Sequence, residues 1–186
     1  IKYFYISNTA VIQSLAEFLM DNVSNITSAT NISNILKSEK LTVSHVTINN
    51  YLDYLTDSFL FYRIRRYDIK GQEYMRLKDK YYLSDTAFRY STLGVRNLDH
   101  GRMLENIVAI ELLRREYELY VGVLHNKEID FVAMKRSEKL YIQVSDDISS
   151  EATFDRETRS LLNIKDAYPK IIIANTKQPT YTYKGI

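Results

Sequence analysis

The chain has 186 residues, 45% of them apolar and 26% charged, with five Gly and two Pro; this composition can bury a core as one large domain or two small ones and excludes disordered and fibrous classes. It has no Cys and only three His, at positions 45, 100 and 125, which excludes a disulfide scaffold, thiol catalysis and cysteine-ligated zinc and argues against a histidine cage. Net charge is 25 − 23 = +2, too small to imply a polyanion partner for the whole chain.

No apolar run approaches the length of a membrane span and no signal peptide pattern is present, so the expected location is cytoplasmic, with no membrane partner. The chain opens on Ile1 and not on Met, and a piece of a longer protein is expected. From Ala10 to Val23 the apolar residues Val11, Ile12, Leu15, Phe18, Leu19 and Val23 recur at helical spacing, with Asn8 or Thr9 placed to cap the start. Ile32, Ile35 and Leu36 repeat that spacing in a segment ending near Lys40. Val46, Ile48, Tyr51, Leu52 and Leu55 mark a third helix after Thr42 or Ser44.

After Ser58 the period changes to two. Phe59 to Tyr67 reads as a strand, Asp68-Ile69-Lys70-Gly71 as a turn with Gly71 free to take positive φ, Tyr74 to Leu77 as the returning strand, and Lys80 to Leu83 as a further short strand. Three helices and a hairpin follow the order of a winged helix, in which the third helix enters the major groove and the hairpin is the wing. Residues 1–95 are expected to form that domain. Seven cations lie between Arg63 and Lys80, and Arg63, Arg65, Arg66, Lys70, Arg76 and Lys78 are the candidate DNA-binding residues. The third helix has no Arg or Lys, so nonspecific phosphate contact with duplex DNA is expected rather than base reading. Tyr51, Tyr54, Phe59 and Phe61 are expected in the core. The 16 Tyr also suit an aromatic interface with a protein partner.

Asp85 is placed to cap a short helix ending at Gly94. Residues 96–186 read as a second, α/β domain. A helix begins at Asp99 or His100, with Met103, Leu104, Ile107, Val108, Leu112 and Leu113 along one side and Glu105 in its early turns. Tyr117 to Leu124, Glu128 to Met134 and Leu140 to Val144 read as strands, Phe154 to Asp166 as a helix, and Ile171 to Ala174 as a short, fully buried strand. Strict alternation puts Glu128 and Asp130 on one face and Ile129 and Phe131 on the other, with Tyr141, Gln143 and Ser145 sharing a face. If these two strands pair, Asp130 meets Gln143, and Glu105 can approach from the helix.

A helix bearing Glu105, a strand bearing Asp130 and a strand bearing Gln143-Val144-Ser145 resemble the PD-(D/E)xK nuclease superfamily. The resemblance implies that Asp130 matches the metal-binding Asp and Glu105 the helical Glu. Gln143 stands where the second carboxylate belongs, and Ser145 stands where the Lys belongs. A neutral amide removes a charge from a Mg²⁺ site, and Ser145 cannot supply the cation that stabilises a hydroxide nucleophile. Lys127 and Lys139 lie nearby in sequence as substitutes. The expected reading is a nuclease-like fold retained without cleavage. A metal-dependent nuclease with a divergent site, using Mg²⁺ at Asp130, is the alternative, and a satisfied buried polar cluster of Glu105, Asp130 and Gln143 is the structural one.

Together with Lys80-Tyr81-Tyr82-Leu83-Ser84-Asp85, Gly101 to Val108 and Arg156 to Leu162, these blocks resemble the C-terminal domain of a bacterial and archaeal family of AAA+ superfamily ATPases. That resemblance implies an upstream ATPase module as partner, binding ATP and Mg²⁺. No Gly-x-x-x-x-Gly-Lys-Ser/Thr spacing occurs here, so these residues themselves are expected to hold no cofactor.

Overall fold

In the computed structural model, residues 6–95, 99–125 and 127–186 are described, apart from the side chains of residues 76 and 77. The fold is mixed α/β. The order is α1 (Thr9–Asp21), α2 (Ala29–Ser38), α3 (His45–Asp57), β1 (Phe61–Asp68), β2 (Glu73–Leu83), α4 (Ala87–Leu93), α5 (His100–Arg114), β3 (Glu118–Leu124), β4 (Lys127–Lys135), β5 (Glu138–Ser145), α6 (Glu151–Leu162) and β6 (Lys170–Ala174). Among the described residues no helix is long and apolar enough to cross a membrane.

Five helices start at a side chain that accepts an otherwise unpaired backbone N–H: Asn8, Ser28, Ser44, Asp99 and Ser150. Helix α6 starts earlier than its apolar spacing suggests because Ser150 caps it at Thr153. It ends at Leu162, and the expected extension to Asp166 is instead a turn in which Ile164 N–H donates to Leu161 O.

The chain divides into two compact units, one of Ile1–Arg63 with Lys78–Leu98, the other of Ile64–Leu77 with Asp99–Ile186. The division runs through the hairpin as well as past residue 98. In the first unit, Val11, Leu15 and Leu19 of α1, Ile32 and Leu36 of α2, and Ile48, Tyr51, Leu52 and Leu55 of α3 are buried with Phe61, Tyr81, Tyr82 and Leu83. Thr27 and Asp79 exchange backbone hydrogen bonds at 2.9 and 3.0 Å, a one-residue bridge that lies between α1 and α2 in sequence. The expected short strand at Lys80 to Leu83 is the end of β2. Phe59 is a correction: it is 69% exposed. It follows the α3 cap Ser58 at φ 58° while Leu60 N–H closes onto Leu55 O, and a residue at that left-handed position points away from its helix. Gly71 is another, since Gln72 takes the positive φ of the hairpin turn. A Cβ on Gly71 would meet Asp68 Oδ2 at 2.8 Å, so Gly71 provides space there.

The strand order is β2-β1-β3-β4-β5-β6. Strand β1 pairs parallel with β3, from Arg65 opposite Tyr120 to Asp68 opposite Val123, so the hairpin expected as the wing of the first domain carries its tip in the sheet of the second unit. β3, β4 and β5 pair antiparallel, and β6 pairs parallel with β5. Helix α5 buries Met103, Asn106, Val108, Ala109 and Leu112. Ile107, expected on that side, is 55% exposed, with Asn106 buried in its stead. The expectation of a fully buried last strand is also corrected, because β6 is an edge and Ile171 is 39% exposed.

Candidate functional site

The four residues expected to form a site are carried by α5, β4 and β5. β4 does not alternate strictly. Tyr120 pairs with Val132 and Gly122 with Ile129, so two steps on β3 face three on β4, and the extra residue is a bulge at Asp130 and Phe131. The consequence reverses the expected facing: Ile129 shares a core cluster with Val132, three positions away, together with Tyr67, Leu124, Tyr141 and Leu161. Gly122 makes this possible. A Cβ there would lie 2.9 Å from both Ile129 Cβ and Val132 Cγ2 and 3.0 Å from Ile69 Cδ1. A lone glycine inside an apolar strand signals a bulge or a close approach, so this feature was detectable from sequence.

The bulge turns Asp130 toward β5. The ladder between β4 and β5 runs from Lys135 opposite Glu138 to Phe131 opposite Ile142. Beyond it, side chains take over. Val144 N–H donates to Asp130 Oδ2 at 2.8 Å, and Asp130 N–H donates to Gln143 Oε1 at 3.4 Å. Asp130 is 8% exposed. Asp130 and Gln143 therefore meet as expected, and both bridge the strands. Ser145 is buried and its Oγ donates to Asp147 O at 2.9 Å, which ties it to the loop after β5. In that loop Ser149 donates backbone N–H and Oγ to Asp147, and these bonds hold the Asp147 carboxyl below the ordinary carboxylate range. Glu105 is half-buried in the second turn of α5.

The donor set does not fit Mg²⁺. Among the described residues no three His, Asp or Glu side chains converge in a way that could hold a metal ion. The one buried carboxylate near Gln143 already binds a backbone N–H, and hard cations need several oxygen ligands. Lys139 Nζ stands 4.8 Å from the Tyr168 ring centroid and 5.6 Å from that of Tyr67, and Lys127 is exposed at the start of β4.

The hairpin cations fall into two groups. Arg63 is half-buried, with Nη2 donating to Asp53 Oδ1 at 2.7 Å and its guanidinium 5.7 Å over the Tyr81 ring. Burial opposes its charge, but Tyr81, Asp53 and Asp79 outweigh that and raise its pKa. Burial pushes the Tyr81 phenol up to about 12. Arg66 is half-buried, and its Nε has no hydrogen-bond partner. Arg65, Lys70 and Lys78 are exposed. The Arg76 side chain lies outside the described residues.

Over 168 residues, 90% of this chain, the sequence is 44% identical to an uncharacterized protein of Haemophilus influenzae, covering 41% of that protein. Over 185 residues, 97% of this chain, it is 30% identical to Uncharacterized protein MJ1544 of Methanocaldococcus jannaschii, covering 40% of it. The chain thus spans about two-fifths of the length of these relatives. No solved structure matches it. A family model described as Domain of unknown function (DUF8612) matches residues 1–99, more than half of the 186, and the chain belongs to that family.

Proposed function

We propose that this chain is a non-catalytic, nucleic-acid-contacting module attached to an AAA+ superfamily ATPase, built from a winged helix and a PD-(D/E)xK nuclease-like α/β domain that no longer cuts. The observation that carries the non-catalytic reading is the pair of bonds between Asp130, Val144 and Gln143. Asp130 Oδ2 accepts the Val144 N–H across the strand pair, so a metal at that oxygen would compete with that bond, and Ser145 stands where the family's lysine would supply the cation beside hydroxide. The winged-helix reading is supported by three capped helices, the hairpin and the Thr27–Asp79 bridge. Attachment to a longer protein agrees with the length of the relatives.

The nucleic-acid part rests on Arg65, Lys70 and Lys78, which remain exposed while Arg63 is neutralised by Asp53. Helix α3 exposes Asn49, Asn50 and Asp53 and carries no Lys or Arg. Phosphate contact without base reading follows, and such binding weakens steeply with salt. Supercoiled plasmid kept with the protein and Mg²⁺ or Mn²⁺ should stay intact; cutting that disappears in Asp130→Ala would overturn the non-catalytic reading. Duplex DNA should bind at low salt and lose affinity as salt rises, and the loss should shrink in the double variant Arg65→Ala, Lys70→Ala. A Walker loop in the residues preceding Ile1 is the observation that tests the attachment.

A further inference from the structure

One face of the second unit gathers aromatic rings and cations that the strand-end site does not use. Tyr67 on β1, Tyr74 on β2 and Tyr120 on β3 form a closed triangle, with ring centroids 5.6, 5.9 and 5.0 Å apart. Tyr67 is buried beneath it, whereas Tyr74 is 58% exposed. Lys139 places its ammonium between Tyr67 and Tyr168, and Tyr168 is 42% exposed. Arg65 pairs in register with Tyr120, so the two share a side of the sheet, and Arg65 is exposed. Lys70, also exposed, lies in the turn between β1 and β2.

Two exposed phenol rings cost hydration free energy unless something covers them, and their spacing among cations restricts what does. Three acids of this unit have partners. Glu118 accepts from the Tyr120 hydroxyl, Asp166 accepts from Tyr141 and pairs with Lys170, and Asp68 accepts the Lys70 backbone N–H. Asp166 is ion-paired with Lys170 while Glu118 and Asp68 keep their charge, and Arg65, Lys70 and Lys139 set cations beside the open rings. An apolar protein surface gains nothing from the cations, and a duplex hides its bases from the rings. A flexible polyanion with exposed π-faces satisfies both groups at once, by stacking on tyrosine and pairing its phosphates with arginine and lysine.

We propose that this face binds single-stranded nucleic acid without sequence preference, with Tyr74 and Tyr168 as stacking rings and Arg65, Lys70 and Lys139 on the backbone. The inference rests on the nucleic-acid reading above and specifies the strand state and the residues. Tyr74 lies on the edge strand and is 58% exposed, with one side of its ring against Tyr67 and Tyr120, so its replacement does not empty the core, and thermal melting of each variant by circular dichroism checks that.

The test measures fluorescence anisotropy of a labelled oligothymidylate of roughly 15 nucleotides, and of the matching duplex, with the full chain at low salt. The expected result is tighter binding of the single strand, weakened about tenfold by Tyr74→Ala and by no more than about twofold by Tyr74→Phe, which keeps the ring. Arg65→Ala should lower the slope of log affinity against log salt by about 0.7. Duplex bound as tightly as single strand, with Tyr74→Ala unchanged, would overturn this inference and leave the nucleic-acid reading standing. Binding of neither at low salt would overturn both.

Discussion

The two ends of the β4–β5 pair obey different rules. At the end that holds Lys135 and Glu138, backbone meets backbone residue by residue. At the other, Asp130 and Gln143 bridge the strands with their side chains, while β5 still pairs normally with β6 through Ser145 opposite Ala174. A strand pair can therefore be opened on one side only if polar side chains satisfy the N–H groups left behind. The residues that look like catalytic groups in sequence are the ones that make the opening affordable, and this gives Asp130 and Gln143 a structural role independent of any chemistry.

Substitutions can break or sharpen that contrast. The largest effect is expected at Gly122, opposite the bulge: Gly122→Val adds atoms where a single Cβ already approaches three core side chains within 3.0 Å, and a loss of about 3 kcal/mol in urea unfolding is expected. An unchanged midpoint would mean that the bulge relaxes freely. Next comes Asp130→Ala, which leaves the Val144 N–H without its acceptor and should lower stability by about 2 kcal/mol. Asp130→Asn keeps an acceptor oxygen and should recover most of that. Hydrogen exchange at the Val144 amide reads the same bond directly, being slow in wild type, fast in Asp130→Ala and intermediate in Asp130→Asn.

Tyr141→Phe tests the paired part of the ladder. It removes the 2.6 Å hydrogen bond to Asp166 and leaves the ring packed, so about 1 kcal/mol is expected, with the bridge at Asp130 intact by exchange. The smallest effect lies away from the strands. Hydrogen bonds from Arg114 and Arg115 hold the exposed Glu111 carboxyl down at about 2, against 4.5 for an unperturbed group. A depressed folded-state pKa means that Glu111 supports the fold above about 4.5 and that this support fades as pH falls toward 2. Glu111→Gln should flatten the acid limb of the stability profile slightly, and a carboxyl titration midpoint near 4 by NMR would show that the arginine bonds do not persist in solution.

Much of this architecture was legible along the chain. Helical periodicity with a capping residue is a local signal, and Asn8, Ser44 and Asp99 each resolved to one of the two caps considered. The meeting of Asp130 and Gln143 was legible too, because it needs only that neighbouring strands pair. Facing was less so. The alternation argument placed Ile129 beside Phe131, and one extra residue in β4 moved it beside Val132; Gly122 carried the hint, but on the partner strand.

What the amino-acid order settled by itself is the set of elements, since hydrophobic spacing, caps and turns act over a few residues. The tertiary structure alone decided that the hairpin tip joins β3, that Arg63 is paired while Arg65 stands open, and that Tyr67, Tyr74 and Tyr120 meet. The β1–β3 pairing and the Tyr120 contacts join segments about fifty residues apart, and even the Arg63–Asp53 pair spans ten; pairing energy there is shared among many side chains and no local pattern records the partner.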